Sequence, residues 1–144
     1  MKVADIMTPN LTTVPSAATL ADAARRMRDA NVGALPVVDG RELKGIITDR
    51  DIVVRASAQH WNLTRKLVSD AMTTSVSCCR DTDAVEDAAR EMAAAQIRRL
   101  LVKNAAGDLV GVVSLGDVAL NTTHAIAGDA LAAISHHGEV AVPA

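Results

Sequence analysis

The feature that most constrains the fold of this chain is an internal repeat. Asp5-Ile6-Met7-Thr8 recurs 65 residues later as Asp70-Ala71-Met72-Thr73. With that offset kept, residues 5–27 and 70–92 align without a gap and are identical at eight of 23 positions. A period of this length exceeds the roughly 20–50 residues of solenoid repeats, so it predicts two homologous subdomains.

Each copy contains the same succession of hydrophobic patterns. Apolar residues at helical spacing predict amphipathic helices over 20–30 and 85–95, with Thr19/Asp22 and Asp83/Glu86 as capping pairs. Each helix pattern is followed by two β-branched runs and a turn, which predict a hairpin. The expected hairpin strands are 34–38 with 43–48, and 100–103 with 109–114.

Short strands over 11–14 and 75–78, and short helices beginning at Asp51 and Asp117, complete a β-α-β-β-α order in each copy. The chain is therefore expected to be an α/β protein of two repeats. The expected segments are a first repeat (1–58), a linker (59–67), a second repeat (68–124), and a C-terminal helix with a tail (125–144).

Both hairpins end on one motif: a glycine, two apolar residues, a hydroxyl and, three residues after the hydroxyl, an aspartate. It runs from Gly45 to Asp51 and again from Gly111 to Asp117. One interpretation is structural, because Thr48-x-x-Asp51 and Ser114-x-x-Asp117 match a helix capping box. The other is binding, since such an aspartate can accept hydrogen bonds from a ribose diol. The retention of both side-chain types in both copies favours binding.

Basic residues near the motifs suggest where a phosphate would bind. Arg50 lies inside the first motif and could hold a phosphate bidentately. Arg98-Arg99 stands where the first copy has Gly33-Ala34. This pair is interpreted either as a solvated charge pair on an edge strand or as phosphate ligands that complete the first motif from the other repeat.

Composition excludes several function classes. The formal charge is −2 with no basic stripe, and Trp61 is the sole aromatic residue, which argues against nucleic-acid binding. No apolar run is long enough to span a bilayer, so a soluble, cytoplasmic protein is expected. The sequence contains neither a phosphate-binding glycine loop nor a nucleophile motif, and the four histidines have no metal-site spacing. No catalytic and no metal-binding residues are therefore assigned.

Cys78 and Cys79 are adjacent, and a disulfide between neighbours would be strained. We expect buried thiols, with redox sensing as the alternative.

The repeat, the element order and the two Gly-h-h-[Thr/Ser]-x-x-Asp endings together resemble the cystathionine β-synthase (CBS) domain. A tandem pair of the small stand-alone bacterial type would span Val3 to about Thr122. The resemblance implies packing about a pseudo-two-fold axis, two related sites in a cleft, and a homodimer. It implies no prosthetic group and a regulatory adenosine-containing ligand, namely AMP, ADP, ATP, S-adenosylmethionine or NAD.

The resemblance also implies residue roles. The ribose ligands would be Asp51 and Asp117, with help from Thr48 and Ser114, and the phosphate ligands would be Arg99, Arg98 and Arg50. Backbone near Thr13-Val14 and Ala34-Leu35 would line the first base pocket, and residues 76–78 with Leu100 would line the second.

The expected function is a non-catalytic regulatory module that senses such a ligand and acts on a separate, unidentified partner protein. The alternative is a ligand-free protein-interaction module, stress- or redox-responsive. Because Leu115-Gly116 replaces Asp49-Arg50 in the second motif, the first site is expected to bind more tightly.

Overall fold

The computed structural model describes residues 1–136, so the expected tail over 138–144 and His137 lie outside the described residues. The strands are β1 (Thr8–Pro9), β2 (Ala34–Asp39), β3 (Glu42–Thr48), β4 (Cys78–Arg80), β5 (Arg99–Lys103) and β6 (Leu109–Ser114). The helices are α1 (Leu20–Ala30), α2 (Asp49–Asp51), α3 (Val68–Ala71), α4 (Val85–Ala95), α5 (Leu115–Asn121) and α6 (His124–Ser135). Short 3₁₀ turns lie at Val3–Asp5 and Ser57–Gln59, and α2 continues as a turn of π-helix over Ile52–Ala56.

The contacts divide the chain into two compact units. The first-repeat unit is Asn10–Val76, and the second-repeat unit joins Met1–Pro9 to the chain from Ser77 onward. Each unit is thus one repeat completed by the opening segment (Asp5–Thr8 or Asp70–Thr73) that precedes the other repeat in sequence. The segment boundaries expected from the sequence follow the repeats along the chain and stay a prediction. The contacts divide the chain elsewhere, after Pro9 and after Val76.

The second-repeat unit contains a four-stranded sheet in the order β1-β6-β5-β4, in which only the β4–β5 pairing is parallel. In the first-repeat unit the β2–β3 hairpin is flanked by single bridges, Val14 to Val37 and Ile46 to Thr73. The two units therefore share one topology, with shorter flanking strands in the first.

The two main helices match the periodicity, and each packs its apolar stripe into its own unit's core. Leu20, Ala23 and Met27 are buried on α1, and Val85, Ala88, Ala89 and Met92 on α4. The helices also end alike, because Asn31 and Gln96 adopt left-handed backbone conformations (φ 54° each) that close the last turn.

Four local expectations were wrong. The short helices begin at Asp49 and Leu115, two residues before the expected Asp51 and Asp117, because Thr48 and Ser114 are the capping residues. Thr19 caps α1 as expected, but the residue preceding α4 is Ala84, which has no capping side chain, and Asp83 instead accepts a hydrogen bond from the Arg80 backbone. The strand expected over 75–78 is β4, from Cys78 to Arg80. Residues 11–14 form only the Val14 bridge, because a single pair of hydrogen bonds links them to β2.

The glycine of each motif is required by a close approach of backbones. A Cβ on Gly45 would lie 2.4 Å from the carbonyl oxygen of Thr73, and a Cβ on Gly111 would lie 2.9 Å from that of Thr8. These carbonyls belong to the opening segments, which pair with β3 and β6 respectively. Glycine at both positions lets the opening segment lie against the strand.

We expect Gly45→Ala to destabilise the protein by about 1–3 kcal/mol, because the added methyl group must displace backbone rather than a mobile side chain. Urea unfolding of the variant measures this loss. Gly128→Ala is the matched control, because its Cβ would enter open space within α6 and should leave stability unchanged or raised by about 1 kcal/mol. Equal unfolding midpoints for Gly45→Ala and the wild type would contradict the packing argument.

Candidate functional site

The two hydroxyl-x-x-aspartate motifs form complete capping boxes. Thr48 Oγ1 accepts from the Asp51 backbone N–H at 3.0 Å, and Asp51 Oδ2 accepts from the Thr48 N–H at 3.0 Å. Ser114 and Asp117 make the same pair of bonds at 3.1 and 2.8 Å. The structural interpretation of the motif is therefore correct at both sites. Each capping box uses only Oδ2 of its aspartate, so the neighbours of Oδ1 decide whether that oxygen can bind a ligand.

The second carboxylate oxygen has different neighbours in the two motifs. Asp51 Oδ1 lies 3.8 Å from the Arg55 guanidinium, and the Asp51 side chain is only 13 % exposed. Arg55 also donates to the carbonyls of Ala71 and Met72, at 3.1 and 3.3 Å. By contrast, Asp117 Oδ1 has no hydrogen-bond or ion-pair partner among residues 1–136. Asp117 therefore keeps an uncompensated acceptor that Asp51 lacks.

In each unit a backbone bond joins the start of the hairpin to the start of the following helix. Leu115 N–H donates to the Arg98 carbonyl at 2.8 Å, and Asp49 N–H donates to the Gly33 carbonyl at 2.9 Å. Arg99 also lies opposite Ser114 in the β5–β6 register. The exposed Arg98-Arg99 pair therefore lies beside the second motif, within its own unit. Its expected contribution to the first motif stays a prediction.

The second-repeat unit has a cavity of about 500 Å³ at this junction, which we call the basic cavity. Its polar side chains come from Arg98, Arg99, Ser114 and His124. Its remaining lining is small or apolar and comes from α5 and α6, through Leu115, Gly116, Ala119, Ala127, Gly128 and Leu131. None of the described residues that line it is acidic. The arrangement suits an anion that carries an apolar part.

The first-repeat unit has a groove of about 540 Å³ at the corresponding junction of Gly33 and Asp49, but α1 lines much of it and its charge pattern differs. Asp49 replaces Leu115, and its carboxylate lies so close to Gly33 that a Cβ there would be 3.1 Å from Oδ2. Arg28 and the exposed Val53 also line this groove. Arg50 is exposed at the start of α2 and is not among the described residues that line the groove. A carboxylate in this position opposes anion binding.

Two of the three residues expected near the first base pocket have their side chains buried in the hydrophobic core. Val14 and Leu35 are fully buried in the core of the first-repeat unit, and Ala34 is half-buried. The N–H and C=O of Val14 bond to Pro36 and Val38. The side chains of Val14 and Leu35 are therefore unavailable to a ligand, and a role for the backbone near Ala34 stays a prediction.

Comparison with known proteins identifies the family. The CBS-domain family model matches residues 3–57 and 68–121. The chain belongs to the CBS-domain family. CBS domain-containing protein YhcV of Bacillus subtilis is 43 % identical over 135 residues, which cover 93 % of this chain and 95 % of YhcV. Hypoxic response protein 1 of Mycobacterium tuberculosis is 32 % identical over 80 % of both chains.

A solved CBS-domain structure adds a ligand to this comparison. CBS domain protein PAE2072 from Pyrobaculum aerophilum, solved as a complex with AMP, has a TM-score of 0.75 and 26 % identity. The match covers 92 % of this chain and 99 % of that chain. The resemblance inferred from the sequence is thus confirmed, as is the expectation of two CBS repeats.

Two residues of this CBS pair were missed by sequence reasoning. Arg55 lies four residues after Asp51, and this helical spacing could have indicated the ion pair. His124 was set aside because no histidine spacing indicated a metal, and no sequence pattern links it to Arg98. Among residues 1–136 there is no cluster of three potential metal ligands, and no helix is long and apolar enough to cross a membrane.

The cysteines differ from the expectation in one respect. Cys79 is buried as expected, but Cys78 is exposed, because successive residues of β4 face opposite sides of the sheet. The pKa of the Cys79 thiol is raised to about 11, chiefly by burial and to a lesser extent by the negative charge of nearby Asp83. Partial desolvation also raises the pKa of Cys78, although the residue as a whole is exposed, and the positive charge of Lys103 opposes the shift.

We expect Cys79 to react slowly with a disulfide reagent at pH 8, because the thiolate is the reactive form and a pKa of about 11 leaves it scarce. The Cys78→Ser variant isolates Cys79, and its reaction rate should rise with pH up to about 11. The Cys79→Ser variant isolates the exposed Cys78 and should react faster at pH 8. A Cys79 rate at pH 8 equal to that of a small free thiol would contradict this expectation and favour redox sensing.

Proposed function

We propose that the protein is a non-catalytic regulatory module that binds an adenosine phosphate and acts on a separate partner protein in the cytoplasm. The single observation that carries the proposal is the cavity lined by Arg98, Arg99 and Ser114, with Asp117 bonded to Ser114 in the same capping box although Asp117 does not itself line the cavity. It provides cationic donors for a phosphate within the same unit as an open carboxylate oxygen for a ribose. Family membership and the AMP complex of PAE2072 support the same ligand class.

Within this proposal Asp117 Oδ1 accepts from the ribose hydroxyls while Oδ2 stays in the capping box. Ser114 adds a hydroxyl, and Arg98 and Arg99 hold the phosphate. In the first-repeat unit Asp51, Thr48 and Arg50 have the corresponding roles, with backbone near Val14, Ala34 and Leu35 beside the base. S-adenosylmethionine and NAD remain alternative adenosine ligands, and no prosthetic group is proposed.

We further propose that the second-repeat site binds an adenosine phosphate more tightly than the first, which reverses the order expected from the motifs. Two features of the first unit support this. Arg55 already lies beside Asp51 Oδ1, the oxygen that the capping box does not use. The Asp49 carboxylate occupies the position that Leu115 has in the second unit. The first feature weakens Asp51 as an acceptor for ribose hydroxyls, and the second repels a phosphate.

A second candidate function, protein interaction, is favoured by exposed apolar residues of the first-repeat unit. Val32, Val53 and Val54 are 43 %, 61 % and 52 % exposed, and the first two line its groove. Such residues are typical of contact surfaces, so this surface is proposed for the homodimer or for the partner protein. A module that binds no ligand would retain this surface and lack adenosine affinity.

Calorimetry with AMP, ATP, S-adenosylmethionine and NAD tests the ligand class directly. We expect AMP or ATP to bind with a dissociation constant well below about 1 mM, which corresponds to about −4 kcal/mol. If none of the four binds at that level, adenosine sensing is excluded and the interaction function is favoured.

Asp117→Asn should weaken AMP binding by about 1.5–3 kcal/mol, because a charged acceptor for the ribose is lost. Asparagine keeps a carbonyl oxygen for the Ser114 N–H, so the helix cap survives. Asp51→Asn should have a smaller effect on total affinity, since Arg55 already compensates that charge. Asp87→Asn, on an exposed residue paired with Arg90, is the matched control. If Asp51→Asn costs more than Asp117→Asn, the proposed order of the two sites is wrong.

A further inference from the structure

The basic cavity has a wall that is not part of the CBS repeat. The family match ends at residue 121, whereas α6 begins at His124. His124, Ala127, Gly128 and Leu131 of α6 line the same cavity as the Arg98-Arg99 pair. In the first-repeat unit the groove is lined by repeat residues alone, among those the structure describes. The α6 wall therefore distinguishes the second site from the first.

Core packing holds α6 in this position. Ala130 and Ile134 are buried with Ala89 and Met92 of α4 in one hydrophobic cluster, and α6 also packs against α5. Thr123 caps the start of the helix, although its bond to the Ile126 N–H is long at 3.4 Å. The far end is tied by Gln96, whose side chain donates to the His136 carbonyl at 2.7 Å. Burial near the C-terminal end thus presents His124 at the cavity.

The chemistry at the cavity suits a phosphate group with three donors. Guanidinium groups donate and never accept, and an imidazole offers an N–H donor in its neutral form as well as when protonated. Since none of the described lining residues is a carboxylate, no acidic side chain there competes for these donors. Ser114 already donates its hydroxyl proton to Asp117 Oδ2 at 2.9 Å, so it can serve a ligand only as an acceptor and is not one of the three donors.

We propose that His124 is a third phosphate-binding residue of the second-repeat site and that the bound phosphate links β5 to α6. This inference rests on the proposed function, since it assumes a phosphate-bearing ligand at Arg98 and Arg99. A ligand that contacts His124 binds best when α6 is packed in place, so occupancy stabilises the docked helix. The helix α6, which lies outside the CBS repeats, would therefore be more stably docked when the ligand is bound than when it is absent.

The first experiment compares AMP with adenosine by calorimetry in the wild type and in His124→Ala. Loss of one hydrogen bond to a charged phosphate should weaken AMP binding about tenfold and leave adenosine binding unchanged. His136→Ala is the matched control, because it removes the same side chain from the other end of α6 and keeps the carbonyl that Gln96 contacts. It should leave AMP affinity unchanged.

The second experiment measures hydrogen exchange of the α6 amides in the wild type and in His124→Ala. AMP should slow exchange over His124–Ser135 in the wild type, and this protection should be lost in His124→Ala. His124→Gln, which keeps an N–H donor, should restore part of both the affinity and the protection. If His124→Ala does not fold, the glutamine variant, the adenosine comparison and the wild-type exchange data still decide the question.

The outcomes separate the inference from the proposed function. If the wild type binds AMP but His124→Ala binds it equally well, or His136→Ala is weakened to the same extent, the role of His124 is wrong and adenosine sensing stands. If no adenosine phosphate binds the wild type, the proposed function fails, and pyrophosphate becomes the probe. Protection of α6 by pyrophosphate that requires His124 would then support the anion site alone, and absence of that protection would overturn it.

Discussion

The structure depends on the close approach of two backbones at one glycine in each unit. Thr73 exchanges two hydrogen bonds of 2.9 Å with Ile46, next to Gly45, where no side chain would fit. Gly111 has the same relation to Thr8 in the other unit. Because the opening segment fits only against glycine, it fixes the strand that leads into the motif. The hydroxyl and the aspartate three residues apart then emerge at a defined point, where the helix begins.

The two sites share this backbone arrangement but differ in the residues that surround each aspartate. The capping bonds are the same in both, so the motif itself does not decide which aspartate can meet a ligand. Arg55 lies beside Asp51, whereas Asp117 retains an open oxygen and has Arg98 and Arg99 in its own unit. A capping box and a binding site are therefore compatible interpretations of one aspartate, since a carboxylate has two oxygens and the cap uses one.

Much of the fold was predictable because its signals are local. The bounds of α1 and α4 follow from apolar spacing, and the hairpin strands agree with their patterns within one residue at each end. The errors arose where a pattern had two readings. Asp83 and Ala84 both precede α4, and only the backbone path shows that Asp83 turns back to Arg80. Alternation along β4 likewise buries Cys79 and exposes Cys78, although both are small thiols.

The sequence by itself determined the two repeats, their helices and hairpins, the CBS family and the paired motifs, because periodicity, glycine positions and repetition are written along the chain. Tertiary structure decided which opening segment completes which repeat, which aspartate is compensated, and that His124 reaches the cavity of Arg98 and Arg99. These depend on contacts between residues far apart in sequence. No local pattern encodes such a contact, because it exists only after burial of Ala130 and Ile134 has docked α6.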